Sequence, residues 1–508
     1  MTSYLSIPEY YTDKNIFITG ATGFIGKVLI EKILRSCPNV GNLYILVRPK
    51  KSQDCYQRIQ DMTQSSVFDK VRADNPNFYK KLIPVHGDMT EIGLGISKDN
   101  IELLSKTIHV VFHSAATIRF NEPLRVAMNI NVLGVRKMIQ LCLNFKMLEV
   151  FVHVSTAYAN CDQPFIEEKV YSPSVEPQKL IDAMEWMNDD MIDVLTPRLI
   201  GNKPNTYTFT KHLAEHLLIM EGSSLPLAIV RPSIVGASWM EPFPGWVDNF
   251  SAPSGICIAT GKGILRSMRG DSLSVCDLVP VDFTVNMMIS VGWYIAQFQP
   301  KTVLIFHSTI GNVNPFTWGE IVTSMVNNYR KHPLDSCFRR PKLALTKSGA
   351  LQNYYLTVSH MIPAYIIDLS YSLFGKPPRM VKIYNKLHRL LQTISFFTTQ
   401  SWEWTYKNLD MLNTQLSADD RECFYLDPRH LHWPTYMEAF CKGTKRYLLK
   451  EDISGLPAAK AHLNKLRNIR YIFNTVILIV LWRLIISRTN IAGNLWIFIL
   501  NLFTKYVK

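Results

Sequence analysis

The chain has 508 residues, more than one hydrophobic core normally supports, so two or three domains are expected. Charged residues make up 19% and hydrophobic residues 47% of the chain, which excludes an extended disordered protein. The formal charge of +14 indicates an anionic partner, and the candidates are nucleic acid, membrane phospholipid and a polyphosphate ligand such as a dinucleotide or coenzyme A.

The nine cysteines are scattered, form no Cys-X-X-Cys pair, and follow no secretory leader before Asp13. This pattern favours free thiols in a reducing compartment over disulfides. It also predicts that the protein has no metal site.

The first 240 residues alternate apolar runs with helical patterns, which is typical of βαβ units with a parallel sheet. The predicted strands are Ile16–Thr19, Leu43–Val47, Leu82–Val85, His109–His113, Glu149–Val154 and Leu227–Arg231. The predicted fold class is therefore α/β. We expect residues 1–240 to form a Rossmann-type doubly wound parallel sheet that carries the cofactor and the catalytic residues.

Two further regions follow the predicted sheet. Residues 241–355 are rich in Pro, Gly and aromatic side chains, as in Glu241–Asn249, and are predicted to form a substrate-binding subdomain with ligand-facing loops. Residues 356–455 are mostly helical in pattern and are predicted to form a separate C-terminal helical domain, with core residues Trp402, Trp404 and Trp433.

A membrane anchor is predicted over residues 471–503, which hold two apolar stretches, Tyr471–Ile486 and Ile491–Phe503. Each is shorter than the roughly 20 residues that cross a bilayer, so one crossing and a hairpin lying partly in the membrane both stay open. The lack of polar periodicity disfavours a buried pair of soluble helices. Between Cys441 and Arg470, eight basic residues stand against two acidic ones, which is typical of a membrane-flanking segment, although a solvated helix face would carry the same charges.

The first predicted strand runs into a glycine-rich turn and then a helical run. Glycines at such a turn let the backbone approach a pyrophosphate, and the following helix offers free N–H groups to the anion. The turn predicts a dinucleotide site formed by Gly20, Thr22, Gly23, Phe24, Ile25 and Gly26.

The end of the second strand predicts which dinucleotide binds. A carboxylate there would bind a free ribose 2′-hydroxyl, but the chain has a cationic cluster with Arg48 and Lys51, which favours a 2′-phosphate and hence NADPH. A basic surface turn is the alternative. Asp88 is expected to meet the adenine. The other candidate cofactor contacts are Ser114, Ala115, Ala116, Asn131, Pro232, Ser233 and Ile234.

Ser155 and Thr156 follow the fifth predicted strand, and Tyr207 and Lys211 stand four residues apart about fifty residues later. Because residues i and i+4 share a helix face, we expect the Lys211 ammonium to lower the pKa of the Tyr207 phenol. Tyr207 is predicted to donate a proton to an oxygen that becomes negative as hydride arrives, and Thr156 or Ser155 to hydrogen-bond the same oxygen. Lys211 and Tyr207 are also predicted to contact the nicotinamide half of the cofactor. Tyr158 has no lysine four residues later.

These motifs together resemble the extended short-chain dehydrogenase/reductase superfamily. Longer strings resemble the alcohol-forming fatty acyl-CoA reductases of animals, of the vertebrate type, over nearly the whole chain. The main strings are Thr19–Lys27, His153–Tyr158, Val230–Ser238, Glu241–Asn249, Asp277–Asp282, Arg339–Pro341, Leu431–Trp433, Leu456–Ala459 and Asn464–Tyr471.

This resemblance implies reduction of long-chain fatty acyl-CoA to a primary alcohol with two NADPH. The first hydride gives a hemithioacetal that expels CoA, the second reduces the aldehyde, and the alcohol supplies ether-lipid and wax synthesis. The resemblance further implies a peroxisomal membrane location with a cytosol-facing catalytic domain, and the endoplasmic reticulum is the alternative. No nucleic-acid partner is expected.

Two other functions remain open from the sequence. One is another membrane-bound enzyme of the superfamily, such as a hydroxysteroid dehydrogenase or a nucleotide-sugar epimerase, although the helical region after residue 355 is not expected in either. The other is a non-catalytic dinucleotide-binding scaffold, which would have no need of Thr156, Tyr207 and Lys211 together.

Overall fold

The computed structural model describes residues 4–49, 53–250, 252–488, 494, 496–498 and 501. Lys51 and most of Ile491–Phe503 lie outside these residues. The strands are β1 (Ile16–Thr19), β2 (Leu43–Val47), β3 (Leu82–His86), β4 (Val110–His113), β5 (Val150–Val154), β6 (Phe165–Ile166), β7 (Leu227–Pro232), β8 (Ile234–Gly236), β9 (Ser267–Arg269), β10 (Leu278–Pro280), β11 (Leu304–Ser308), β12 (Ala344–Thr346) and β13 (Glu403–Trp404).

The helices of the first half of the chain are α1 (Ile7–Tyr10), α2 (Phe24–Ser36), α3 (Cys55–Thr63), α4 (Asp69–Asp74), α5 (Lys98–Thr107), α6 (Leu124–Met128), α7 (Gly134–Cys142), α8 (Pro177–Trp186), α9 (Asp189–Ile200), α10 (Thr206–Glu221) and α11 (Ala252–Gly261). Those of the second half are α12 (Val281–Phe298), α13 (Trp318–Lys331), α14 (Gly349–Tyr355), α15 (Ile362–Leu373), α16 (Met380–Thr398), α17 (Lys407–Gln415), α18 (Ala418–Cys423), α19 (Trp433–Gly443) and α20 (Leu456–Arg488).

In the described part of the chain, seven strands form one parallel sheet in the order β3-β2-β1-β4-β5-β7-β11. The predicted doubly wound sheet is confirmed, and each of the six predicted strands is present. The seventh strand, β11, comes from beyond the predicted boundary at residue 240, because the apolar helix α12 carries the chain back across the sheet after β7. The sheet order reverses between β1 and β4, which opens a crevice at their carboxyl ends.

Successive side chains of each central strand point to opposite faces of the sheet and so pack into two different hydrophobic cores. On β1, Ile16 and Ile18 pack with α2 and α12 on one face, whereas Phe17 packs with α7 and α10 on the other. Helix α12 is buried along most of its length, which explains why its sequence is apolar all round.

Three short two-stranded parallel ladders lie outside the seven-stranded sheet. Strand β8 pairs with β10, β9 with β12, and β6 with β13. The last pairing ties the C-terminal helical region to the segment just after β5. The predicted core tryptophans are confirmed, since Trp402, Trp404 and Trp433 are all buried.

The C-terminal helix α20 begins on the protein surface and then leaves it. Ala459 and Leu463 are buried against the domain, and His462 Nε2 lies 2.8 Å from the Cys337 carbonyl oxygen. From Asn468 to Ile485 the helix is exposed throughout. It is long and apolar enough to cross a membrane, with none of its most apolar window buried, which disfavours a soluble core helix.

Candidate functional site

The turn after β1 is built for a close approach of backbone to ligand. Gly20 has a φ of +74°, and a Cβ there would lie 2.7 Å from the Ser114 hydroxyl oxygen. A Cβ on Gly26 would lie 2.4 Å from the Gly20 carbonyl oxygen, so the first turn of α2 packs directly on this loop. Helix α2 begins after Gly23 without a side-chain cap, which leaves its first N–H groups free for an anion.

A cavity of about 1100 Å³ runs from this loop past the ends of β4, β5 and β7. Its wall brings together almost all of the site residues predicted from the sequence: Gly20, Thr22, Gly23, Phe24, Ile25, Gly26, Arg48, Asp88, Ser114, Ala115, Ala116, Ser155, Thr156, Tyr207, Lys211, Pro232, Ser233 and Ile234. The size, the glycine cradle and the uncapped helix fit a dinucleotide.

Asn131 is the described candidate that does not reach this wall. It is buried, accepts a hydrogen bond from the Thr117 N–H at 2.9 Å, and donates to the Thr117 carbonyl and the Thr210 hydroxyl. Thr117 itself lines the cavity. Asn131 therefore holds the loop after β4 in place through Thr117, and its own side chain does not line the cavity.

Arg58 belongs to the cavity wall and was not predicted from the sequence. From α3 its guanidinium donates to the Thr22 hydroxyl at 3.4 Å and to the Arg48 carbonyl. The Arg48 side chain is largely exposed and lies 3.5 Å from the Asp88 carboxylate. Two guanidinium groups thus face the end of β2. The sequence signal for Arg58 is its place one turn into α3, the helix that follows the loop after β2.

Asp88 is held as an anion near these arginines. Burial raises the pKa of its carboxyl, but hydrogen bonds from Thr90 and the charge of Arg48 outweigh this and bring the pKa below its ordinary value. The same carboxylate accepts the Thr90 N–H and hydroxyl at 2.9 Å. Thr90 therefore occupies the Oδ1 atom of Asp88, and the Oδ2 atom lies beside Arg48.

Tyr207 and Lys211 occupy the first two turns of α10, which starts at an Asn205 side-chain cap. The Tyr207 ring stacks on Phe120 at 5.6 Å, and the Lys211 ammonium donates to the Val154 carbonyl at 2.8 Å. Both side chains face the cavity across from the end of β5. The predicted grouping is therefore present in the fold.

The predicted pKa of Tyr207 is wrong for this structure. Burial raises the pKa of the Tyr207 phenol to about 12, and a hydrogen bond with Thr156 partly offsets this. The Lys211 ammonium donates to the Val154 carbonyl instead. Burial also lowers the pKa of Lys211 to about 8, although the Glu215 carboxylate raises it. Tyr207 is consequently a protonated donor at neutral pH.

Ser155 and Thr156 present two hydroxyls beside this phenol. Thr156 is buried, donates to the Pro232 carbonyl at 3.3 Å and caps the turn at Tyr158. The Ser155 hydroxyl is buried at the cavity wall and has no partner among the described residues. A buried hydroxyl without a partner is costly, so this position fits a ligand that supplies one.

A buried charged network stands behind Lys211. Glu215, one turn further along α10, pairs with Arg231 of β7 through two hydrogen bonds of 2.7 and 2.9 Å. Arg231 also donates to the Glu167 and Lys169 carbonyls. The network fixes α10 to the sheet and thereby sets the position of Lys211.

The far end of the cavity is apolar. Helices α11, α13, α16 and α19 and strand β10 line it with Ile256, Cys257, Leu278, Ile321, Met325, Leu390, Ile394, Phe397, Met437 and Phe440. The Pro-Phe-Pro-Gly-Trp segment that was expected to face ligand packs elsewhere, since Trp246 is buried and stacks on Phe24 at 5.6 Å. Only its continuation, Asn249 and Phe250, lines the cavity within the described chain.

Two cysteines touch this wall but are poor nucleophiles. A hydrogen bond with Cys441 and burial raise the pKa of the Cys257 thiol well above its ordinary value, and burial does the same for Cys276. Both thiols are therefore protonated at neutral pH.

A doubly wound sheet with a glycine cradle at its switch point and a Tyr-Lys pair beside it defines a nicotinamide-dinucleotide-dependent reductase of the short-chain dehydrogenase type. An NAD-binding family model described as "Male sterility protein" matches residues 18–288, and a second model with the same description matches residues 359–451. The chain is 50% identical to "Fatty acyl-CoA reductase 1" of Xenopus laevis and 48% identical to that of Homo sapiens, in each case over 99% of this chain and 98% of the relative.

It is also 45% identical to "Fatty acyl-CoA reductase 2" of Mus musculus over 99% of this chain and 97% of the relative. The chain belongs to the fatty acyl-CoA reductase family and is an NAD(P)H-dependent oxidoreductase. Among solved structures, the reductase domain of a nonribosomal peptide synthetase from Mycobacterium tuberculosis shares the fold, with a TM-score of 0.58, 19% identity, and coverage of 86% of this chain and 92% of that chain.

Proposed function

We propose that this protein reduces long-chain fatty acyl-CoA to the primary alcohol in two steps, each using one NADPH. The observation that carries the proposal is that one cavity contains the glycine loop, the Tyr207 phenol, the hydroxyls of Ser155 and Thr156, and an apolar wall. Such a wall suits an acyl chain, whose burial contributes about 0.8 kcal/mol per methylene.

Bound NADPH would supply a hydride to the carbonyl carbon in both steps. Tyr207 donates its phenolic proton to the carbonyl oxygen as negative charge develops there, and Thr156 hydrogen-bonds the same oxygen. In the first step the resulting hemithioacetal breaks its C–S bond: its hydroxyl proton returns to the Tyr207 phenolate as the aldehyde forms, and the departing CoA thiolate takes a proton from water. In the second step the aldehyde takes the same place and leaves as alcohol. The protonated cysteine thiols at the wall support direct reduction over transfer of the acyl group to the protein.

Lys211 is proposed to stabilise the Tyr207 phenolate that forms after proton donation and to reach the nicotinamide ribose. Ser155, whose hydroxyl has no partner among the described residues, is proposed as a second donor at the reacting end. The glycine loop and the N–H groups of α2 would hold the pyrophosphate.

The preference for NADPH over NADH is supported by the guanidinium groups of Arg48 and Arg58 at the end of β2. A bidentate, permanently charged group suits a 2′-phosphate better than a free hydroxyl. The carboxylate nearest to Arg48 is Asp88, which is already engaged by Thr90.

Product analysis of the purified protein with palmitoyl-CoA tests the chemistry. With NADPH we expect hexadecanol, and two molecules of NADPH oxidised for each alcohol formed. Tyr207→Phe is expected to lower kcat about 10²- to 10⁴-fold. Exposed Tyr79→Phe is the matched control and is expected to keep the rate. Undiminished alcohol formation by Tyr207→Phe would refute the assigned role.

We further propose that α20 holds the protein in the peroxisomal membrane with the catalytic domain facing the cytosol, so that the alcohol supplies ether-lipid and wax synthesis. The family resemblance and the basic residues before the apolar half of α20 support this. Imaging a tagged chain with and without Tyr471–Lys508 tests it. A reticular pattern would assign the endoplasmic reticulum instead, and an unchanged location after truncation would remove the anchor.

A further inference from the structure

Helices α14 and α15 carry a continuous exposed apolar stripe. The turn 356–361 joins them into one helical run, and large apolar side chains recur along it every three or four residues. These are Leu351, Tyr354, Val358, Ile362, Tyr365, Ile366, Leu369 and Leu373, each between 41% and 77% exposed. Such spacing places them on one face of the run, which in a water-soluble surface helix would be polar.

The surroundings of this apolar stripe are strongly basic. Residues 339–400 hold nine lysines and arginines and one acidic residue, Asp368. Asp368 is buried, and its carboxylate accepts the N–H groups of Arg379, Met380 and Val381 at the start of α16. The exposed charges around the stripe are thus positive, and they include Lys376, Arg379, Lys382, Lys386 and Arg389.

The membrane-length helix leaves the domain beside the stripe. His462 of α20 contacts the carbonyl of Cys337, and Arg339, two residues later, donates to the Ser359 carbonyl in the turn between α14 and α15 at 2.9 Å. Eight residues beyond His462, Arg470 is close enough to Arg266 for their charges to repel. A single short segment therefore links the exit of α20 to the apolar stripe.

Three guanidinium groups meet at this junction. Burial and the positive charges of Arg339 and Arg470 lower the pKa of Arg266 to about 10. The Arg266 backbone N–H is held by His360 of the same turn at 3.0 Å. Clustered cations of this kind attract the phosphate groups of phospholipids.

We propose that the apolar stripe of α14 and α15 is a second membrane-binding surface, which inserts into the leaflet of the bilayer that α20 enters. An apolar helix face flanked by lysine and arginine is the form of an interfacial helix, and the anchor keeps this face at the membrane. The hairpin partner α16 starts at the basic rim and ends in the cavity wall at Leu390, Ile394 and Phe397. The membrane surface and the cavity thus lie at two ends of one helix.

The full chain is reconstituted into phosphatidylcholine and phosphatidylserine vesicles with a photoreactive benzophenone side chain at position 366 or 369. The matched control carries it at position 194 on α9, which is not part of the stripe and where Val194 is 78% exposed. After irradiation, mass spectrometry of the intact protein reports what was captured. We expect the mass of one phospholipid at 366 and 369, at least tenfold more than at 194.

Two results would overturn the proposal. Lipid capture at 366 and 369 no greater than at 194 would place the stripe in water, and a covalent dimer in place of a lipid adduct would assign it to a second copy of the chain. Because the readout is capture and not turnover, it is independent of the proposed reduction chemistry.

Discussion

Lys211 is expected to set the alkaline limit of activity. Burial lowers its pKa from the ordinary 10.5 to about 8, whereas burial raises that of Tyr207 to about 12. The lysine is charged below its pKa and neutral above it, and the tyrosine stays protonated throughout this range. Activity that needs both the ammonium and the phenolic proton is therefore lost as the pH rises through about 8.

The size of the effect follows from the titration. At pH 9 only about 10% of a group with a pKa near 8 is still charged, so kcat/KM is expected to be about tenfold below its plateau. A lysine with an ordinary pKa would still be more than 90% charged at that pH, and kcat/KM would scarcely change. Initial rates of NADPH oxidation with low acyl-CoA, from pH 6.5 to 9.5, measure this, because kcat/KM reports the pKa of the free enzyme.

Lys211→Arg is the matched variant for this measurement. Arginine keeps its charge at every pH used. The activity that the variant retains is therefore expected to show no fall in kcat/KM near pH 8. Circular dichroism at pH 9 checks that both proteins stay folded. A wild-type profile that is flat to pH 9.5, or a limb that persists unchanged in Lys211→Arg, would contradict the assignment of this titration to Lys211.

Two further predictions concern the cofactor and the fold. The double substitution Arg48→Ala with Arg58→Ala is expected to raise the KM for NADPH about 10- to 100-fold, since a hydrogen bond to a charged group contributes about 1.5–3 kcal/mol, and to leave the KM for NADH unchanged. An equal rise in both constants would contradict recognition of the 2′-phosphate. Arg231→Met leaves the Glu215 carboxylate buried without its partner and is expected to lower the free energy of unfolding by about 3–5 kcal/mol in urea denaturation. The exposed Lys106→Met is the control and is expected to change it by less than about 1 kcal/mol; similar losses in the two variants would refute the structural role of the buried pair.

The sheet and the reacting end of the cavity were predictable because their signals are local. Each central strand is a short apolar run, and the glycine loop lies directly between β1 and α2. The Tyr207–Lys211 pair needs one helical turn, and Ser155 and Thr156 directly follow a strand. Because the carboxyl ends of parallel strands lie at one edge of the sheet, the strand prediction alone places these separate segments together.

The remainder of the site depends on tertiary packing, which short-range patterns do not report. The apolar wall is assembled from helices up to about 180 residues apart, such as Ile256 of α11 with Phe440 of α19. The pKa of Tyr207 was predicted in the wrong direction because burial of the phenol, which the helical spacing does not report, raises it. The Lys211 ammonium donates to the Val154 carbonyl. The Glu241–Asn249 segment was expected near ligand, but its Trp246 side chain is buried and stacks on Phe24.

The charge of the whole chain has a simple location. The excess of basic over acidic residues in 339–400 and in 441–470 together equals the formal charge of +14, so the rest of the chain is neutral on balance. The basic residues of 441–470 are visible in the sequence as a basic segment. Those of 339–400 are separated by apolar residues, and they form one basic surface only when α14, α15 and α16 are folded together. The 339–400 segment carries the apolar stripe, and the 441–470 segment contains the start of α20. The surplus charge therefore fits a phospholipid surface better than a nucleic acid or a soluble polyphosphate.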